Sequence, residues 1–72
     1  MDTQEFKLRG EYVALCDLLK LTGIAESGGQ GKLMISNGEV TVDGQPESRK
    51  TAKIRANQTV QCLGQAVRVV AG

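Results

Sequence analysis

Apolar residues recur every three or four positions in the first half of the chain and at every second position in much of the rest. Tyr12, Leu15, Cys16 and Leu19 fall at i, i+3, i+4 and i+7, so one helical face is apolar from Glu11 onward. Lys20 suits the negative pole of that helix, and Gly23 is a stop signal. Ser27 can cap a second helix by accepting from a free amide of its first turn. This helix runs through Lys32, Leu33, Met34 and Ile35 and ends at Asn37-Gly38. Two short helices joined in this way read as a helix–turn–helix-like hairpin.

After Gly38 the period drops to two. Val40 and Val42 alternate with Glu39 and Thr41, and Asp43-Gly44 marks a tight turn. Pro46 cannot continue a central strand. A second alternating stretch covers Arg49 to Arg55, with Ala52 and Ile54 on one side. Ala56-Asn57-Gln58 is a turn, and Thr59 to Leu63 and Ala66 to Val70 are two further strands joined through Gly64-Gln65. Residues 1–9 read as an extended or frayed lead-in. The predicted class is α+β: a two-helix hairpin with a small, mostly antiparallel sheet.

A chain of 72 residues has room for one domain, expected to span residues 1–72, and its 40% apolar content suffices for a core. No apolar run approaches the roughly 18 residues that cross a bilayer. The start, Met1-Asp2-Thr3-Gln4-Glu5, is polar and acidic, unlike an export signal, so a cytoplasmic protein with no membrane partner is expected. Cys16 and Cys62 each sit within an apolar pattern and read as buried, reduced thiols. With two cysteines and no histidine, no metal site is expected, and no cofactor. The net charge of +1 conceals an imbalance. Residues 1–44 set Lys7, Arg9, Lys20 and Lys32 against seven acids, giving −3. Residues 45–72 set Arg49, Lys50, Lys53, Arg55 and Arg68 against Glu47, giving +4. Segregation of this kind points to a polyanionic partner.

The basic run Arg49-Lys50-Thr51-Ala52-Lys53-Ile54-Arg55 is the first candidate site. As a regular strand it would place Arg49, Thr51, Lys53 and Arg55 on one face about 6.6–6.8 Å apart, comparable to successive phosphates. Lys50 would fall on the core side and have to snorkel outward. A solvated strand that uses cations to block edge pairing explains the local pattern equally well. The second candidate is Ser27-Gly28-Gly29-Gln30-Gly31-Lys32. Each glycine in a helix costs about 1 kcal/mol against alanine, so something should offset three of them. Gly31 reads as a close contact with the first helix. Gly28 and Gly29 would let a phosphate approach the helix amides, with Gln30 donating and Lys32 adding charge. The segment lacks the spacing of a nucleotide P-loop.

Catalysis finds no support. The carboxylates sit at helix starts, strand faces and turns, where they read as solubilising or capping groups, and Asp43 reads as a turn former. Phe6 and Tyr12 are the only aromatic residues, and Tyr12 is expected in the core. Without an exposed stacking platform, the natural target is the phosphate and ribose surface of folded RNA.

The series Leu15, Leu19, Gly23, Ser27, Gly31, Ile35, Gly38, Val40, Val42, Asp43 and Gly44, with its spacing, resembles the RNA-binding domain named for ribosomal protein S-four, also called the alpha-L motif. The basic stretch and Thr59-Val60 extend the likeness over nearly the whole chain. More narrowly, it resembles the short stand-alone bacterial members of that family. The resemblance implies a helix pair on a small sheet, binding structured RNA, typically ribosomal or transfer RNA. It places the RNA face on Ser27, Gly28, Gly29, Gln30 and Lys32, and on Arg49, Lys50, Lys53 and Arg55. Two departures stand out. Many members carry arginine just after the serine and again within that helix, where this chain has Gly28, Gly29 and only Lys32. The glycine–aspartate common before the next strand is replaced by Asn57-Gln58. Both imply either a weaker affinity for RNA or a contact that rests more on Arg49 to Arg55 than on the helix.

The leading expectation is therefore a monomeric, non-catalytic binder of structured RNA, with the ribosome or its assembly intermediates as candidate partners. The alternative is an adaptor whose basic face docks an acidic protein. A sulfur-carrier-like reading, prompted by Val70-Ala71-Gly72, fails on the missing glycine pair and on the order of elements.

Overall fold

Residues 2–72 are described by a computed structural model; Met1, the first residue of the expected lead-in, lies outside them. That lead-in is a strand, β1 (Asp2–Lys7), in parallel register with the last strand of the chain. A short strand β2 (Val13–Ala14) leads into helix α1 (Leu15–Leu21), and α2 follows (Gly28–Ser36). The remaining strands are β3 (Val40–Val42), β4 (Gln45–Pro46), β5 (Lys53–Ile54), β6 (Thr59–Cys62) and β7 (Gln65–Val70). One sheet has the order β1-β7-β6-β3-β4, antiparallel except for β1 against β7; β2 and β5 form a separate two-stranded ribbon. The α+β class and the helix pair are as the sequence patterning predicts.

Two hairpins carry the sheet. Asp43 and Gly44 both have positive φ, 52° and 83°, and so do Leu63 and Gly64, 51° and 79°. This is the mirror-image turn whose twist suits antiparallel strands. The strand expected to reach Leu63 therefore ends at Cys62, and Leu63 stands 65% exposed at the hairpin tip. Asp43 does more than form its turn. Its carboxylate accepts from the Thr59 amide at 2.9 Å and from Gln58 Nε2 at 3.3 Å, tying the hairpin to the start of β6.

The core lies between the helices and the inner face of the sheet. Leu15, Leu18 and Leu19 of α1 and Ile35 of α2 are fully enclosed, with Val40, Ile54, Val60, Val67 and Val69 from the strands. Cys16 and Cys62 are buried and unpaired. Burial raises the Cys62 thiol pKa, and the charge of Glu39 adds to the effect.

The helix ends follow local chemistry. Gly23 (φ 81°) and Gly38 (φ 76°) turn the chain out of the two helices. Ser27 Oγ accepts from the Gln30 amide at 3.1 Å, as its cap role requires. Only α1 departs from expectation, since it begins at Leu15 rather than Glu11. Residues 13–14 pair with β5, which keeps them extended and moves Tyr12 off the helix altogether.

The three glycines of α2 have separate roles. A Cβ on Gly31 would stand 3.0 Å from the Cys16 carbonyl oxygen and 3.6 Å from Leu19 Cβ, so this glycine sets how closely the helices pack. A Cβ on Gly28 would meet nothing, and on Gly29 only Ser27 Oγ at 3.9 Å. Gly31→Ala should thus lower stability by about 1–2 kcal/mol, overpacking outweighing better helix propensity. Gly28→Ala or Gly29→Ala should raise it by up to about 1 kcal/mol. Urea denaturation of the three variants checks the opposite signs.

Candidate nucleic-acid interface

The basic run is not the regular strand its alternation suggests. Only Lys53–Ile54 is strand; residues 49–52 form a turn closed by the Ala52 amide donating to the Arg49 carbonyl at 3.2 Å. The reason lies in α1, whose cap residue Ala14 offers no side-chain acceptor. The Leu15 amide donates instead to the Ala52 carbonyl at 2.9 Å, and the Cys16 amide to the Lys50 carbonyl at 3.1 Å. A flat strand would aim those carbonyls at a neighbouring strand and leave the helix amides unpaired. Ala52 and Ile54 are buried as expected, and the turn carries Lys50 out to solvent.

This turn produces a surface that simple alternation would not. Lys32 from α2 joins Ser48, Arg49, Lys50, Thr51, Ala52, Lys53 and Arg55 in lining one open concavity. Five cations from two distant parts of the chain thus face a common space. Arg68, by contrast, is exposed between the buried Val67 and Val69, so it lies on the outer face of the sheet, away from the helices.

One acid intrudes. The Arg49 guanidinium donates to both oxygens of Glu47, each at 3.2 Å, and the Arg49 amide adds a third bond at 3.1 Å. The bonds from the Arg49 side chain, then its amide, hold the Glu47 carboxyl below its ordinary pKa, and the guanidinium is raised in turn. Its arginine is open to water while Glu47 is partly covered; such a surface pair contributes little stability, but it partly neutralises Arg49. Among the described residues it is the only ion pair, which leaves Lys32, Lys50, Lys53 and Arg55 uncompensated.

At the start of α2, Ser27 and Gln30 are engaged in the cap: Gln30 Oε1 also accepts from the Glu26 amide. Gly28 and Gly29 border open space. Ser27, Gly28, Gly29 and Gln30 do not line the concavity, although Gly28 lies one helical turn before Lys32 on the same face.

Tyr12, expected in the core, is 46% exposed. Lys53 Nζ lies 5.0 Å and the Arg55 guanidinium 5.8 Å from its ring centroid. Because Val13 turns inward opposite Ile54, the preceding side chain turns outward. The helical spacing of Tyr12 with Leu15 and Leu19 masked this; the adjacent β-branched Val13 was the contrary signal. Asn57-Gln58, in place of glycine–aspartate, shapes the turn that follows. Asn57 takes φ 72°, and Gln58 Oε1 accepts from the Arg55 amide at 2.7 Å, fixing the backbone at Arg55.

A family model for the S4 domain matches residues 6–70. The chain belongs to the S4 domain family. It is 57% identical over 60 residues to "Putative RNA-binding protein YbcJ" of Escherichia coli (strain K12), covering 83% of this chain and 86% of that protein. It is 33% identical over 54 residues to "Probable ribosome maturation protein RlbA" of Bacillus subtilis (strain 168), covering 75% and 76% respectively. The solution structure of YbcJ from E. coli, described as revealing an alfaL motif involved in RNA-binding, matches this S4 domain with a TM-score of 0.73 at 53% identity, over 93% of this chain and 86% of the other. Among the described residues, no helix of this S4 domain is long and apolar enough to cross a membrane.

The Arg49–Glu47 pair gives this S4 domain a measurable pH signature. A carboxyl with a lowered folded-state pKa contributes stability above its unfolded value and loses it as pH falls through the folded one. Carboxyl NMR titration should show Glu47 protonating at lower pH than an ordinary glutamate, and Arg49→Gln should return it to the ordinary range.

Proposed function

We propose that this S4 domain is a non-catalytic, cytoplasmic monomer that binds structured RNA, of the ribosomal or transfer class, through the concavity. Lys32, Arg49, Lys50, Lys53 and Arg55 supply the charge, and Ser27, Gly28, Gly29 and Gln30 extend the contact along α2. The observation that carries the reading is the convergence of Lys32 with the 49–55 turn on one open surface. An open, cationic, concave face suits a folded polyanion better than a small ligand, because successive phosphates can each meet a cation. The names of the E. coli and B. subtilis relatives support RNA, and the latter supports a ribosomal setting. Glu47 is engaged by Arg49, and Asp43 by Thr59 and Gln58, as structural rather than acid–base groups.

Lys32→Gln, Lys53→Gln and Arg55→Gln together should weaken binding to ribosomal RNA fragments or transfer RNA. The slope of log affinity against log salt should fall by about 0.9 for each phosphate that is no longer neutralised. Glu47→Gln should act oppositely, strengthening binding by releasing Arg49. Fluorescence anisotropy across a salt series reads both effects. Unchanged affinity in the folded triple variant retires this surface as the RNA site.

A further inference from the structure

Tyr12 lies between Lys53 and Arg55 of the basic concavity and a second cleft, whose wall carries Phe6, Leu8, Val13 and Leu21 together with the charged Glu5, Lys7 and Arg9. This cleft has an apolar side next to charged groups, and Leu21 on its wall is 62% exposed. Two different features therefore adjoin at one ring: the cations of Lys53 and Arg55, and a cleft with the apolar Phe6, Leu8, Val13 and Leu21 on its wall. The cations hold the ring in place without enclosing it, since nearly half its surface remains open.

We infer that Tyr12 is a stacking platform for one unpaired base of the bound RNA, with the phosphate of that nucleotide on Lys53 or Arg55. The inference rests on the RNA-binding reading and adds to it a class of RNA: a helix interrupted by a bulge, or a loop, rather than a continuous duplex. A paired base is locked within its helix and cannot enter the cleft while its phosphate meets the cations. An unpaired nucleotide presents base and phosphate within the same few ångströms, the scale on which the ring and the two cations are arranged. A ring fixed by cation–π contacts also loses little freedom on stacking.

The chain has one tyrosine and no tryptophan, so its ultraviolet emission reports on this ring alone. The probes are a fully paired RNA hairpin and the same hairpin carrying one bulged adenosine. The bulged probe should quench Tyr12 emission, whereas the paired probe should leave it nearly unchanged. Tyr12→Leu should weaken binding of the bulged probe by about fivefold to a hundredfold, with its salt slope retained, and leave the paired probe unaffected. Tyr12→Phe should keep the preference for the bulge. Equal affinities for the two probes, with no quenching by either, overturn the stacking role. If the Lys32, Lys53 and Arg55 triple variant still loses binding in that case, the basic surface stands without it. If wild-type protein binds neither probe, nor ribosomal or transfer RNA, both inferences fall.

Discussion

The arrangement of the basic surface depends on how the first amides of α1 are satisfied. Leu15 and Cys16 begin a helix whose cap residue, Ala14, has no side-chain acceptor, so their N–H groups need partners from elsewhere in the chain. The carbonyls of Lys50 and Ala52 provide them, at 3.1 and 2.9 Å. A buried amide left unpaired costs about 1–3 kcal/mol, enough to bend a short segment out of regular strand geometry. The segment that bends carries Arg49 and Lys50 and leads directly into Lys53 and Arg55. The same contacts that start the helix therefore hold Arg49 to Arg55 against the helical layer, within reach of Lys32.

Other local features reinforce that placement. The two-residue ribbon of Val13–Ala14 with Lys53–Ile54 buries Ile54 and turns Tyr12 outward. Gln58 closes the turn after Arg55, and Asp43 ties the β3–β4 hairpin to Gln58 and Thr59. Gly31 lets α2 come down on the Cys16 backbone, bringing α2 and its Lys32 close to the helix that anchors the basic turn. The display of these cations rests mainly on backbone geometry, with few side-chain-to-side-chain bonds. Gln58 to Asp43 and Arg49 to Glu47 are such bonds, and the second moderates the charge rather than building it.

The start of α2 divides differently from its sequence. Its glycines suggested one feature, but packing separates them: Gly31 is a structural contact, whereas Gly28 and Gly29 stay open. Ser27 and Gln30 are first of all capping residues, and any role toward a ligand is added to that one. The absence of arginine from this stretch fits a domain whose cations are concentrated in the turn docked beneath α1.

Periodicity and end signals were enough to find both helices (though not the start of α1), the α+β class, the Gly23, Asn37-Gly38 and Asp43-Gly44 boundaries and part of the core, because they depend on residues close together in the chain. The family was legible for the same reason: its pattern is a fixed spacing of small, apolar and capping residues from Leu15 to Gly44. Which residues bear charge was equally plain, but not how that charge is displayed. The parallel pairing of β1 with β7, the bending of residues 49–52 onto α1 and the exposure of Tyr12 all arise from hydrogen bonds between segments dozens of residues apart. Tyr12 had the correct helical spacing and Arg49 to Arg55 the correct strand alternation. Both local preferences gave way to unsatisfied backbone groups elsewhere, a demand that only the folded chain can express.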